Sequence, residues 1–271
     1  MRPPLLVVTD LDGTLLDPAT YRFTAAKPAL RALRRLGIPL ILCTSKTCAE
    51  VVALRRRLGN RDPFITENGG GIFIPRGYFP KQPPGSRPAG PWWVIRLGLP
   101  YARIRRALRD MQPRLPCRVQ GFGDLSIRAV ARLTGLSRHA AGLARQRHFD
   151  EPLVLEGNGR CLKLLKREAA RRGLTVTAGG RLVHLTGEND KGKALRVLLR
   201  LFRDAWGVRP RTVGLGDGPN DLPFLKVVDL PVLVQRPDGT HDPRIRLAGL
   251  VRAPGVGPHG WNAALLELLE G

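Results

Sequence analysis

Leu5-Leu6-Val7-Val8-Thr9-Asp10-Leu11-Asp12-Gly13-Thr14-Leu15 is the stretch that decides how this chain folds. Residues 5–9 form a short, almost unbroken apolar run, the pattern of a strand buried on both faces of a parallel sheet. Two carboxylates, Asp10 and Asp12, follow at once, where Gly13 frees the backbone for a sharp turn. A calcium loop would need further ligands and a closing glutamate, and the apolar Leu15-Leu16 stands in their way. Open parallel sheets bind ligands at the carboxyl ends of their strands, so Asp10 and Asp12 are candidate site residues.

Working outward, helical spacing over residues 25–36 stops at Gly37, and residues 38–43 are the next strand. Residues 47–58 are helical up to Gly59, and a short strand at 64–66 precedes the turn Asn68-Gly69-Gly70-Gly71. This alternation of strand and helix predicts a parallel sheet with right-handed crossovers. Near residue 80 the organisation changes, and the segment from Pro80 to Pro91 has the Pro- and Gly-rich composition of a boundary. Strand-like 92–97, helical 101–111, strand-like 118–122, helices at 126–133 and 137–147, strand 153–155 and helix 161–172 follow. A hairpin, 174–177 with 182–185, turns at Gly179-Gly180. After Gly187 the parallel rhythm returns with helix 191–206, strand 212–215, helix 221–227 and strand 232–234. The expectation is an α/β chain: a discontinuous Rossmann-like core over 1–82 and 186–271, carrying an inserted α+β cap over 83–185. Short Pro/Gly-rich linkers suit a cap that moves as a lid.

Three more stretches fall at strand ends. Thr44-Ser45 ends the second strand, where a hydroxyl and nearby N–H groups could hold phosphate oxygens, or merely cap a helix. Lys191 opens a helix in Asn189-Asp190-Lys191-Gly192, and Gly214-Leu215-Gly216-Asp217-Gly218-Pro219-Asn220-Asp221 adds acids at a later strand end. Each alone is ordinary, but four in this order along one sheet edge are not a chance arrangement. Together they resemble the haloacid dehalogenase superfamily over the whole core.

The resemblance implies Asp10 as nucleophile, Asp12 as general acid/base, and Ser45 and Lys191 as ligands of the transferring phosphoryl group. It also implies a magnesium ion, or manganese or cobalt in its place, held by the Asp10 carboxylate, the Asp12 carbonyl and Asp217, with Asn220 and Asp221 supporting that shell. The chemistry agrees: a carboxylate stays ionised at neutral pH, and a hard cation with a lysine offsets its repulsion from a phosphate dianion.

In the insertion, Gly121-Phe122-Gly123-Asp124, Leu133-Thr134-Gly135-Leu136 and Gly179-Gly180-Arg181 join Thr44-Ser45-Lys46-Thr47 and Glu67-Asn68-Gly69-Gly70-Gly71. This set resembles the mannosyl-3-phosphoglycerate phosphatases, which have the large type C2 cap and release the compatible solute mannosylglycerate. Gly218 departs from that family, where serine is common. The resemblance implies a small phosphorylated glyceryl glycoside as substrate. Lys46, Thr47, Asn68 and Gly69 from the core, with Arg147, Glu151, Arg181 and His184 from the cap, are its candidate binding residues. Arginine forks match carboxylates, and acids accept from sugar hydroxyls. His184 alternates with Val183 and Leu185, which equally fits the polar face of a hairpin. A related reading is a phosphatase for glucosyl-3-phosphoglycerate or sucrose phosphate.

Composition sets the remaining bounds. A formal charge of +23 raises the alternative of a nucleic-acid-binding protein on a silent core. The basic residues are scattered and lack interleaved aromatics, so solvated faces that attract anionic substrates are the preferred reading, with no nucleic-acid partner. No apolar run reaches a membrane span and no secretory leader is evident, so a cytoplasmic monomer or homodimer is expected. Cys43, Cys48, Cys117 and Cys161 form no C-x-x-C pair and read as buried, reduced thiols.

Overall fold

The computed structural model describes residues 3–156, 159–179 and 182–270. β1 (Leu5–Thr9) lies in the interior of the larger sheet, flanked by strands on both sides. α1 (Lys27–Arg35) leads to β2 (Leu40–Cys43), and α2 (Cys48–Leu58) to β3 (Phe64–Thr66), all three strands running parallel. α2 begins where Thr47 and Glu50 form a capping box and ends at Gly59 in the left-handed conformation.

The chain then doubles back antiparallel through β4 (Gly71–Pro75), β5 (Arg87–Ala89) and β6 (Trp92–Arg96). This corrects the expected boundary: residues 87–96, read as the start of the cap, extend the core sheet. The reason is apolar packing, since Val94 joins the core layer and Trp92 meets Phe64 edge-on at 5.2 Å between ring centroids.

Beyond Arg96 the cap has its own architecture. α3 (Tyr101–Met111), β7 (Arg118–Gly121), α4 (Ile127–Thr134), α5 (Arg138–Ala144), β8 (Asp150–Glu156), α6 (Gly159–Ala170), β9 (Thr175–Gly179) and β10 (Leu182–Thr186) follow in order. The four strands form an antiparallel sheet in the order β7-β8-β10-β9. Ile104, Leu108 and Met111 of α3, with Cys161, Leu165 and Ala169 of α6, lie at helical spacing and pack on Val119, Leu153 and Leu185 of the sheet. In this layer Cys117 and Cys161 are joined as a disulfide, with Cα atoms 6.1 Å apart. The expectation of four reduced thiols is thereby corrected for this pair; only the fold brings two cysteines 44 residues apart into contact. With it goes the support that reduced thiols lent to a cytoplasmic setting. Cys43 and Cys48 are free.

α7 (Lys191–Trp206), β11 (Arg211–Gly216), α8 (Leu222–Leu225), β12 (Leu230–Gln235), β13 (Val251–Val256) and α9 (Pro258–Glu270) complete the core. Its sheet, nine strands among the described residues, runs β13-β12-β11-β1-β2-β3-β4-β6-β5. Val7 faces one apolar layer, and Leu6 and Val8 the other, so β1 is buried on both sides. β1 sits between β11 and β2 with Thr9 level with Leu215 and Leu42. The residues that follow these three strands therefore converge at one edge.

No helix among the described residues is long and apolar enough to cross a membrane.

Candidate active site

Asp10 leaves β1 with its N–H donated to the Leu215 carbonyl at 2.9 Å. Beneath it, Trp261 of α9 donates from Nε1 to Thr9 Oγ1 at 2.9 Å, and that hydroxyl donates to the Asp10 carbonyl at 2.7 Å. The chain then turns tightly, with the Gly13 N–H on the Leu16 carbonyl and the Leu16 N–H on the Leu11 carbonyl. Glycine is required at 13 twice over. Its φ is +81°, and a Cβ there would lie 2.8 Å from Asp217 Oδ2.

Lys191, the first residue of α7, is buried with Nζ 2.6 Å from Asp10 Oδ1 and 2.7 Å from Asp221 Oδ1. Asp221 Oδ2 accepts the N–H groups of Asp217 at 3.0 Å and Gly218 at 3.1 Å. Thr14 Oγ1 donates to Asp217 Oδ1 at 3.1 Å. Carboxylate oxygens of Asp10, Asp217 and Asp221 lie within 4.8 Å of one another, close enough to hold one cation. Both Asp221 oxygens are occupied by Lys191 and two amides, which suits it to orienting the loop rather than binding a metal itself.

Burial, with Asp221 and Asp12 adding to it against the opposing pull of Lys191, raises the Asp10 carboxyl to about 7. Burial followed by the charges of Asp221 and Asp10 raises Asp217 well above the carboxylate range. For Lys191, burial disfavours the charge, yet Asp10 and Asp221 outweigh it and hold the ammonium form. One lysine against three crowded carboxylates leaves excess negative charge that a divalent cation would balance. The donors are oxygens, so the residues present fit a hard ion such as Mg²⁺.

Asp12 faces this edge with Oδ2 2.8 Å from Lys46 Nζ, while its buried Oδ1 has no hydrogen-bond partner among the described residues. Lys46 also lies 5.1 Å from the centre of the Tyr21 ring and 3.7 Å from Glu50 Oε1. Burial acts against its charge, but Asp12 and Glu50 raise the ammonium pKa above its usual value.

Above these groups is a cavity of about 390 Å³. Asp10, Asp12, Ser45, Lys46, Asp217, Gly218, Asn220 and Arg236 form its core side, and Phe122, Leu133, Leu136, Arg147, Leu182 and His184 its cap side. Core and cap are joined around it. Arg147 Nη1 donates to the Ser45 carbonyl at 2.7 Å, Tyr21 Oη to the Thr134 carbonyl at 3.2 Å, and Thr47 Oγ1 to the Leu143 carbonyl at 3.0 Å. Glu67 accepts the N–H groups of His148 and Phe149 at 2.9 and 2.7 Å.

Several expected binding residues are elsewhere. Thr47 is buried as the cap of α2, its hydroxyl spent on Glu50 N–H and Leu143. Asn68, at φ +54°, donates to Asp150 Oδ2 at 2.7 Å instead of lining the cavity. A Cβ on Gly69 would fall 2.1 Å from the Asp190 carbonyl, so this glycine allows the loop to pack on the start of α7. Glu151 is buried behind the wall, accepting from Tyr101 Oη at 2.7 Å and pairing with Arg105 at 3.1 Å. Arg181 lies outside the described residues. Arg236, Tyr21 and Phe122 were not expected. Arg236 follows β12, and a strand ending at residue 235 on the same sheet edge was the available signal. A Cβ at Gly218 would come within 3.0 Å of Asn220 Oδ1, so a serine there needs a small shift of that amide.

The haloacid dehalogenase-like hydrolase profile matches residues 7–79. Over 264 residues, 97% of each chain, the sequence is 44% identical to a glucosyl-3-phosphoglycerate/mannosyl-3-phosphoglycerate phosphatase of Methanococcoides burtonii. A protein of the same name from Persephonella marina is 36% identical over 267 residues, 98% of this chain and 97% of the other. The fold is also that of a haloacid dehalogenase-like hydrolase from B. subtilis, with a TM-score of 0.68 at 16% identity over 98% of each chain.

Proposed function

The chain belongs to the glucosyl-3-phosphoglycerate/mannosyl-3-phosphoglycerate phosphatase family of haloacid dehalogenase-like hydrolases and is a phosphoric monoester hydrolase, and we propose that its substrate is mannosyl-3-phosphoglycerate, with the glucosyl compound also accepted. The observation that carries this reading is Asp10, paired with Lys191 at the floor of a cavity whose far wall comes from the cap.

In the proposed reaction a carboxylate oxygen of Asp10 attacks phosphorus as the bond to the glyceryl oxygen breaks, giving an aspartyl phosphate. Asp12 donates a proton to the departing oxygen, then removes one from the water that releases phosphate and regenerates Asp10. Asp12 lines the cavity, where Lys46 holds its Oδ2 in place. Lys191 orients Asp10 and pulls it toward the ionised form against the effect of burial, and the Ser45 hydroxyl faces the phosphoryl oxygens. Asp10 and Asp217, with the Asp12 carbonyl, would hold Mg²⁺, which supplies charge neutralisation between nucleophile and phosphate. Lys46, Arg147 and His184 are the binding residues best supported by their place on the cavity wall.

The test is phosphate release from mannosyl- and glucosyl-3-phosphoglycerate, 3-phosphoglycerate and sucrose phosphate after metal stripping. Mg²⁺ should restore turnover of the two glycosides and Ca²⁺ should support little, because its larger, looser shell misplaces the phosphate. Faster turnover of sucrose phosphate, or full activity in Ca²⁺ alone, would overturn the reading.

A further inference from the structure

β10 alternates two environments. Val183 and Leu185 point into the cap's apolar core, whereas Leu182 and His184 line the cavity. Pairing with β8 sets His184 opposite Pro152 and Thr186 opposite Asp150, so His184 and Asp150 are diagonal neighbours on one face. The His184 Nδ1 lies 2.9 Å from each Asp150 oxygen, and Asp150 is fully buried. From the core, Asn68 donates to Asp150 Oδ2 at 2.7 Å. Asp150 itself does not line the cavity.

A carboxylate against one ring nitrogen places the proton there and aims the other nitrogen away from it. His184 Nε2 has no hydrogen-bond partner among the described residues. With Nδ1–H donated to Asp150, Nε2 of a neutral ring is an acceptor. Sugar hydroxyls offer hydrogens to such an acceptor; an ionised carboxylate or phosphate does not. Beside Arg147 and Thr134, the lining residues on this side, Phe122, Leu133, Leu136 and Leu182, are apolar, as suits the carbon face of a hexose.

We propose that Asp150 is a positioning residue for sugar recognition, holding His184 so that Nε2 accepts a hydroxyl hydrogen of the hexose, and that Asn68 completes the arrangement from the core when the cap is seated. The inference rests on the glycoside reading above and extends it to a residue outside the cavity. Asn68 joins this pair only across the core–cap junction, so hydroxyl recognition and cap seating are one event.

The experiment compares kcat/KM for mannosyl-3-phosphoglycerate with that for 3-phosphoglycerate, which keeps the phosphate and carboxylate but lacks the sugar. Asp150→Ala and His184→Ala should each lower the glycoside value by roughly three- to tenfold more than the 3-phosphoglycerate value, chiefly through KM. The double variant should be no worse than His184→Ala, because the two act through one atom. His184→Asn keeps a donor toward Asp150 but removes the cavity-facing nitrogen, so it tests the idea even if Asp150→Ala fails to fold. Equal losses on both substrates, additive effects, or undiminished sugar selectivity in His184→Asn would overturn the proposal. Failure of the wild-type protein to hydrolyse any phosphoglyceryl glycoside would instead remove the underlying reading.

Discussion

Three carboxylates and one lysine share the buried floor of the site, and their electrostatics make a metal-linked prediction. Asp10 titrates near 7 in the folded protein against an ordinary 3.8, chiefly because it is buried. A raised acid means that the folded state binds the proton more tightly than the unfolded chain. This contribution is therefore fully present below about pH 3.8 and is lost as pH rises toward about 7. Asp217, raised by burial and by the same neighbours, adds to the loss in the same direction. A divalent cation competes with those protons, so its stabilising effect should grow as they leave. Scanning calorimetry should find a larger Mg²⁺-induced rise in Tm at pH 8 than at pH 5, with the difference reduced in Asp10→Asn. An equal Mg²⁺ shift at both pH values would mean that these carboxylates do not hold the ion.

At the scale of elements, the Cys117–Cys161 bond ties the segment entering β7 to α6 across the cap core. Loop-closure entropy for a 44-residue span corresponds to about 4 kcal/mol of stabilisation. Cys161→Ser should lower the Tm of the oxidised protein, and reductant should lower the wild type to the same value while leaving the variant unmoved. No response of the wild type to reductant, with both thiols free to alkylation, would contradict the bonded pair. The same elements show why some of the molecule was legible in sequence and some was not. Asp10, Ser45, Lys191 and Asp217 each sit at a strand or helix end marked by its neighbours, so local pattern singled them out as candidates. β5 and β6 were misassigned because a Pro/Gly-rich stretch looks like a boundary, although aromatic packing against Phe64 draws its far end into the core. β13, interrupted by Arg252, Pro254 and Gly255, carries little strand signal, and with α9 it escaped reading. The connection from Trp261 to Thr9 is therefore visible only in the fold. Thr47 and Glu151 have residue types suited to binding; the Thr47-x-x-Glu50 spacing is that of a capping box and pointed to a structural role, whereas no spacing rule foretells the tertiary partners that absorb Glu151.

At the scale of the whole molecule, core and cap meet around the cavity through contacts that neither could make alone. Arg147 reaches the carbonyl of Ser45, Tyr21 reaches Thr134, and Glu67 grips the backbone at His148 and Phe149. These contacts favour a seated cap that excludes bulk water from the proposed aspartyl phosphate, while the net charge of +23 draws anionic substrates toward the protein. The proposed reaction makes Asp10 the group that takes the phosphate. The most direct test is rapid acid quench of the Mg²⁺-loaded protein with phosphate-labelled mannosyl-3-phosphoglycerate, followed by mapping of the labelled peptide. Transient label is expected on the peptide containing Asp10, with neither label nor single-turnover phosphate release in a folded Asp10→Asn variant. Label on another residue, or full single-turnover release by Asp10→Asn, would contradict it.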